Sequence, residues 1–195
     1  VMTLSSFRVA PRVGHLERAK RIVCYLAQFP HAKLRFRTLE PDYSSNPDNT
    51  FDWAHSVYGD IEEEVPDDSL TPLGKFVRTT HYVDANLYHD MLTGRSVTGI
   101  LDFLNQTPIE WYPKKQATME TATYGSEFVA SRTCVERDID LRTLLRYLGV
   151  PIWKTAFMFG DNESVVNSLS TPHPKQHKRH SALSFHRVRE TIAAK

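Results

Sequence analysis

Residues 155–166 read Thr155-Ala156-Phe157-Met158-Phe159-Gly160-Asp161-Asn162-Glu163-Ser164-Val165-Val166. The run from Thr155 to Gly160 is apolar without alternation, as expected of a strand covered on both faces. Val165, Val166 and Leu169 then recur at helical spacing and predict a short helix. Asp161 stands at the junction. Open sheets that contain parallel strands place their ligands at the carboxyl ends of those strands, which makes Asp161 a candidate site residue. A local reading stays open beside it, because Asp161 or Asn162 is also suited to cap the helix that follows.

Outward from this junction the periodicity defines the neighbouring elements. Phe128, Val135, Ile139, Leu141, Leu144, Leu145 and Leu148 predict a long helix that Gly149 and Pro151 stop. Upstream, Thr79 to Ala85 alternates as a strand, Ser96 to Leu104 is a second β-rich run and Ile109 to Tyr112 a third. The turn residues Asn105-Gln106-Thr107-Pro108 join the second and third runs as an antiparallel hairpin. Leu183 to Ile192 is a last amphipathic stretch. Strands followed by a long helix, a strand and two helices spell an α/β fold, a mixed sheet flanked by helices. A right-handed crossover through the long helix sets the Thr155 strand parallel to the Thr79 strand and beside it.

The first third of the chain is organised differently. Leu16, Ala19, Ile22, Val23 and Leu26 form the stripe of an amphipathic helix over Gly14 to Gln28, ended by Pro30. Residues 32–37 alternate apolar with basic and predict a strand with one wet face. Between Glu40 and Pro72 lie four prolines (Pro41, Pro47, Pro66 and Pro72), an acidic run at residues 60–64 and a Ser/Asn/Asp-rich patch. These mark a linker or long excursion, with Trp53 and Tyr58 as local anchors.

Composition narrows the function classes. With 24 Lys and Arg against 23 Asp and Glu, the 195-residue chain carries a formal charge of +1, so polyanion binding must come from local patches. Cys24 and Cys134 supply neither a zinc pair nor a disulfide framework, and His173, His177, His180 and His186 have no acid or cysteine at finger spacing. Ser126 and Ser164 have no triad signature around them. No apolar stretch reaches the length of a signal core or a membrane span. The opening at Val1 is expected of a piece cut from a longer polypeptide.

Three acids stand where chemistry is expected. Asp84 lies near the end of the first strand between Val83 and Ala85, Glu127 near the start of the long helix beside Phe128, and Asp161 after the buried strand. A carboxylate in an apolar setting needs a partner or a metal. For Glu127 the alternative is a first-turn acid complementing the helix dipole. Brought to one spot, three carboxylates make an oxygen-rich site for hard divalent cations. Two Mg²⁺ ions about 4 Å apart serve in-line phosphodiester displacement.

Six segments carry a resemblance to a known family: Val83-Asp84-Ala85-Asn86, Gly94 to Gly99, Ile109 to Gln116, Ser126-Glu127-Phe128-Val129-Ala130, Gly160-Asp161-Asn162-Glu163-Ser164, and His180 through Phe185-His186-Arg187-Val188-Arg189-Glu190. In this order and spacing the chain from Arg78 to Lys195 resembles the ribonuclease H region of a copia-type retrotransposon polyprotein. Met2 to Phe7, His15 and Lys20 to Leu26 resemble the thumb end of the reverse transcriptase that precedes it. The resemblance implies an RNase H-like mixed sheet flanked by helices, C-terminally truncated, with a small N-terminal helical segment. It divides the chain into a thumb remnant (1–31), a strand plus Pro/acidic linker (32–78) and the RNase H-like domain (79–195). It implies a ribonuclease that uses Mg²⁺, with Mn²⁺ as substitute, to cleave RNA in RNA–DNA hybrids. Asp84, Glu127 and Asp161 take the positions of the first three metal-binding and catalytic carboxylates, and a fourth is expected beyond Lys195 on a further strand and helix.

Departures from the family pattern are Asn86 in place of a second acid, Ala122 to Ser126 ahead of Glu127, His180 to Ser184, and the long insertion from Tyr43 to Thr71. They support the alternative of a catalytically inactive nucleic-acid-binding or connector module. Two basic groups are candidate nucleic-acid contacts: Lys114 with Lys115, and Lys178, Arg179 and His180; for both, the alternative is a solvated surface. The expected partners are an RNA–DNA hybrid and the reverse transcriptase of the same polyprotein, with no membrane. The expected location is a cytoplasmic virus-like particle or the nucleus.

Overall fold

In the computed structural model, which describes residue 4 and residues 7–45, 51–90, 93–172 and 182–194, the alternation read at residues 79–85 extends into a strand of 12 residues, β1 (Thr79–Asp90). The helix of the N-terminal third is α1 (Val13–Gln28). The other elements are β2 (Arg95–Leu104), β3 (Thr107–Lys115), α2 (Thr123–Tyr147), β4 (Phe157–Gly160), α3 (Glu163–Ser170) and α4 (Ala182–Ala194). The chain divides into two units, Val1–Arg35 and Phe36–Lys195. In the first, α1 buries none of its residues, and Leu16, Val23 and Leu26 of its apolar stripe are exposed.

The second unit holds a four-stranded mixed sheet in the order β3-β2-β1-β4, flanked by helices. β1 pairs antiparallel with β2, β2 antiparallel with β3, and β1 parallel with β4. The hairpin between β2 and β3 turns at Asn105, whose φ of 51° is one that Asn tolerates better than most residues. Its side chain accepts from the Arg78 N–H and donates to the Thr38 carbonyl. Period-two alternation sorts β1 into a face carrying buried His81, Val83 and Ala85 and a face carrying exposed Tyr82, Asp84 and Asn86. The helix α2 covers the first face, with Ala130 and Cys134 packed against Val83, Ala85 and Ile100. A second core cluster joins Phe128 and Val135 of α2 to Val165, Leu169, Phe185 and Val188 of the two later helices. Phe128 is fully buried, and truncating it to Ala removes about 3–5 kcal/mol by the usual cost of an emptied aromatic site.

α2 ends where Gly149 takes φ 68°. The Gly149 N–H donates to the Arg146 carbonyl and the Val150 N–H to the Leu145 carbonyl, satisfying groups left open by the last turn.

Three expectations are corrected here. Residues 32–37 form no strand; Leu34 and Phe36 are exposed, and the Arg37 backbone exchanges hydrogen bonds with the Thr107 hydroxyl instead of joining a ladder. β4 is half-buried rather than covered on both faces, because it is an edge strand and its open face is met by the Tyr43 and Tyr82 rings and the Arg78 guanidinium rather than by a helix. Leu144 of α2 and Leu148, which caps its end, are exposed, while Arg142 is buried. Arg142 is held by Glu63 and by the Trp153 and Lys154 carbonyls.

The Pro-rich excursion is anchored in the same unit. Trp53 is buried with the Arg189 guanidinium 4.8 Å from its ring, the Tyr58 hydroxyl lies 2.6 Å from His186 Nδ1, and Glu63 pairs with Arg142 and Arg146.

Candidate metal centre

The sheet brings two of the three acids together by register alone. Thr80 faces Phe157 and Val83 faces Gly160 across the β1–β4 ladder, so one further step sets Asp161 beside Asp84 on the open face. Asp161 is not used as a cap. Asn162 is the N-cap of α3, its Oδ1 accepting from the Val165 N–H at 3.2 Å, which leaves the neighbouring carboxylate exposed.

Glu127 arrives from the covered face. It is buried in α2, and its Oε1 accepts from the Ala85 N–H at 3.3 Å, a donor just beyond the point where β4 stops. The helix-dipole reading is therefore replaced by a carboxyl group turned inward to the strand. Two polar contacts fix the start of α2 beside it. Gln116 donates from Nε2 to Thr98 Oγ1 and to the Ser126 carbonyl at 3.0 and 2.8 Å. Gly125 leaves room for the Glu120 carboxylate, with which a Cβ added there would collide.

One oxygen from each of Asp84, Glu127 and Asp161 lies within 4.8 Å of the others, so this cluster could hold a metal ion. The ion pairs of the described residues involve none of the three. Burial first, and then the charges of Asp84 and Asp161, push Glu127 up to about 7 against the lowering pull of the Ala85 N–H. The donor set is all oxygen and suits a hard cation. Ligands about 2.1 Å from one Mg²⁺ stand at most about 4.2 Å apart, so the cluster is within about half an ångström of ligand spacing. An open trough of about 680 Å³ runs from Asp84 and Asp161 along Tyr82, Phe159 and Trp111.

The basic candidates fare unequally. Lys114 pairs with Thr98, which pairs with Ala85, so Lys114 stands at the acid end of the sheet, two strands or about 10 Å away. It is exposed, with its ammonium 5.8 Å from the Tyr112 ring centroid. Lys115 is tied to Asp90 at 2.5 Å. Lys178, Arg179 and His180 lie outside the described residues, as do His173 and His177. Asn86, in the place of the family's second acid, is exposed with Nδ2 3.2 Å from His89 Nδ1.

Sequence reasoning missed a second ionisable cluster. His81 of β1 lies between Asp102 of β2 and Asp138 of α2, and Arg137 bridges Asp102 to Glu110 of β3. Asp102 sits among apolar residues of a strand as Asp84 does, which was the available signal.

No protein-family model matches the chain, and no curated protein sequence matches it. Among the described residues no helix is long and apolar enough to cross a membrane.

Proposed function

We propose that the second unit is a ribonuclease H-like domain of a copia-type retrotransposon polyprotein that cleaves the RNA strand of RNA–DNA hybrids, with Asp84, Glu127 and Asp161 holding Mg²⁺ or Mn²⁺. The convergence of three carboxylates, from the middle of β1, the residue after β4 and α2, carries this reading. The parallel β1–β4 pair joined through α2 supports it, since that is the topology the resemblance calls for.

A divalent cation at such a site supplies positive charge at the scissile phosphate, favouring in-line attack by water and departure of the leaving oxygen. The chain's own residues do the rest. Asp84 and Asp161 present exposed carboxylates on the open face, and the Ala85 N–H orients Glu127 toward them. Burial and the neighbouring carboxylates raise the affinity of Glu127 for a proton, to about 7, so that holding a cation there would require this carboxyl to release its proton. In this reading Lys114, exposed and near the acid end of the sheet, is the cation that would meet backbone phosphates of a duplex. Selection of RNA over DNA then falls to shape and to the 2′-hydroxyl.

The test is a gel assay on an end-labelled RNA–DNA hybrid with Mg²⁺ or Mn²⁺, comparing the protein with Asp161→Asn. RNA cleavage that disappears in Asp161→Asn is the expected result. Cleavage that survives the substitution rejects the site. Hybrid binding without cleavage under either metal favours the inactive nucleic-acid-binding module.

A further inference from the structure

His81 is 2% exposed, and each of its ring nitrogens faces a carboxylate. Nδ1 is 2.7 Å from Asp102 Oδ1 and Nε2 is 2.8 Å from Asp138 Oδ1. A neutral imidazole has one N–H, so one of these contacts would set a lone pair against a carboxylate oxygen. Only the imidazolium donates to both. The surroundings are built for that charge. β2 contributes Asp102; α2 contributes Asp138, Arg137, Arg142 and the thiol of Cys134; β3 contributes Glu110 through Arg137. β4 sets Met158 beside His81 and no titratable group.

The position of this bridge gives it a consequence. His81 lies three residues before Asp84 on β1, and Asp138 lies eleven residues after Glu127 on α2. Helix and strand are thus pinned at two points, the imidazolium bridge at one end and the Ala85–Glu127 hydrogen bond at the other. A helix held at one end by packing alone can slide or roll, and a shift near 1 Å is enough to spoil a metal site. We propose that His81, as an imidazolium joining Asp102 and Asp138, is a positioning residue that fixes α2 on β1 in the register at which Glu127 meets Asp84 and Asp161. Its consequence for metal rests on the site proposed above; its geometry does not. Burial opposes the charge on His81, but the hydrogen bonds and charges of Asp102 and Asp138 outweigh it and raise the ring from 6.5 to about 9.

The experiment compares the full chain with His81→Gln, which reaches one carboxylate and carries no charge, with His81→Gln/Asp138→Asn, which removes the stranded charge, and with Val188→Ala, which empties a core position on α4. Two quantities are read at pH 7: Mn²⁺ affinity, and hydrogen-exchange protection of the Ala85 amide, which needs no metal. His81→Gln is expected to weaken Mn²⁺ binding by about tenfold to a hundredfold, as loss of a partner that orients a metal ligand does. It is expected to lower Ala85 protection by about tenfold, a local opening no longer held shut. The double variant restores most of both, and Val188→Ala changes neither. In the unaltered chain, Mg²⁺ affinity falls as pH rises past about 9, opposite to the trend of simple carboxylate sites. Unchanged Ala85 protection in a folded His81→Gln overturns the proposal, as does an equal loss in Val188→Ala. If His81→Gln does not fold, Asp138→Asn alone carries the test, with loss of Ala85 protection expected and retention overturning it. A chain that binds no Mn²⁺ yet shows the Ala85 loss and rescue upholds the positioning role and sinks the metal site.

Discussion

β1 and α2 meet at two acidic clusters whose charge balance is opposite. At one end Asp84, Glu127 and Asp161 approach one another with no ion-pair partner among the described residues, and Glu127 is driven to hold a proton up to about 7. At the other end Asp102 and Asp138 are met by His81 and Arg137, and Asp102 is held below the usual carboxylate range. Glu63 repeats the second pattern: despite burial, the hydrogen bonds and charges of Arg142 and Arg146 hold it at about 2. The fold neutralises the acids that join its own elements. It leaves without an ion-pair partner among the described residues the exposed Asp84 and Asp161 and the buried Glu127 beside them, and unrelieved repulsion of this kind marks a functional site more often than a structural one.

The contrast can be broken most directly by stability. His81→Leu takes from buried Asp138 its ion-pair partner and leaves Asp102 to Arg137 alone, and is expected to lower unfolding free energy by about 3–5 kcal/mol. Glu127→Gln relieves repulsion and is expected to raise metal-free stability by on the order of 1–2 kcal/mol at pH 8. Urea unfolding of both reads the signs, and a loss in both variants would erase the distinction. Catalysis sharpens it next. Asp161→Asn is expected to lower RNA cleavage by about 10²–10³-fold, the usual effect of removing one preorganised charge element. Its unfolding midpoint should stay close to that of the unaltered chain, so equal losses in both measurements would count against a dedicated site.

The pH dependence separates the clusters by sign. Glu127 binds its proton more tightly folded than unfolded, so its contribution to metal-free stability diminishes as pH rises from 4.5 through about 7. Saturating Mg²⁺ should remove that decline, and Mg²⁺ affinity should climb through the same window with release of about one proton. The His81 contribution is complete below 6.5 and is lost as pH rises through about 9. Unfolding curves across pH 5–10 with and without Mg²⁺ resolve the two. The smallest effect is expected at the basic edge. Lys114→Gln should reduce the salt slope of hybrid binding by about 1, and Lys115→Gln by less, because Lys115 is already paired with Asp90. Equal slopes for both would return Lys114 to an ordinary solvated surface.

Much of the architecture was legible along the chain because it follows from local periodicity. Alternation at Thr79 to Ala85, helical spacing from Phe128 to Leu145, the Gly149 stop and the crossover rule together place β4 parallel to β1, as observed. Asp161 was legible as the residue that follows β4; Asp84, expected near a strand end, instead lies midway along β1, which runs on to Asp90, and the register shared by the two parallel strands makes the two acids neighbours. The errors came where pattern was asked to stand in for surroundings. Residues 32–37 alternate correctly but find no neighbouring strand, and the apolar run of β4 does not say which of its faces a helix will cover.

From Thr79 onward the sequence by itself determined the order and type of the elements and the three candidate ligands, since propensity, periodicity and turn chemistry act over a few residues. Only tertiary structure decided which charges compensate which. Asn162 rather than Asp161 takes the cap, Arg142 rather than Leu144 is buried, and His81 meets Asp138 across 57 positions of sequence. Electrostatic interaction depends on separation in space and on burial, and neither can be read from position along the chain.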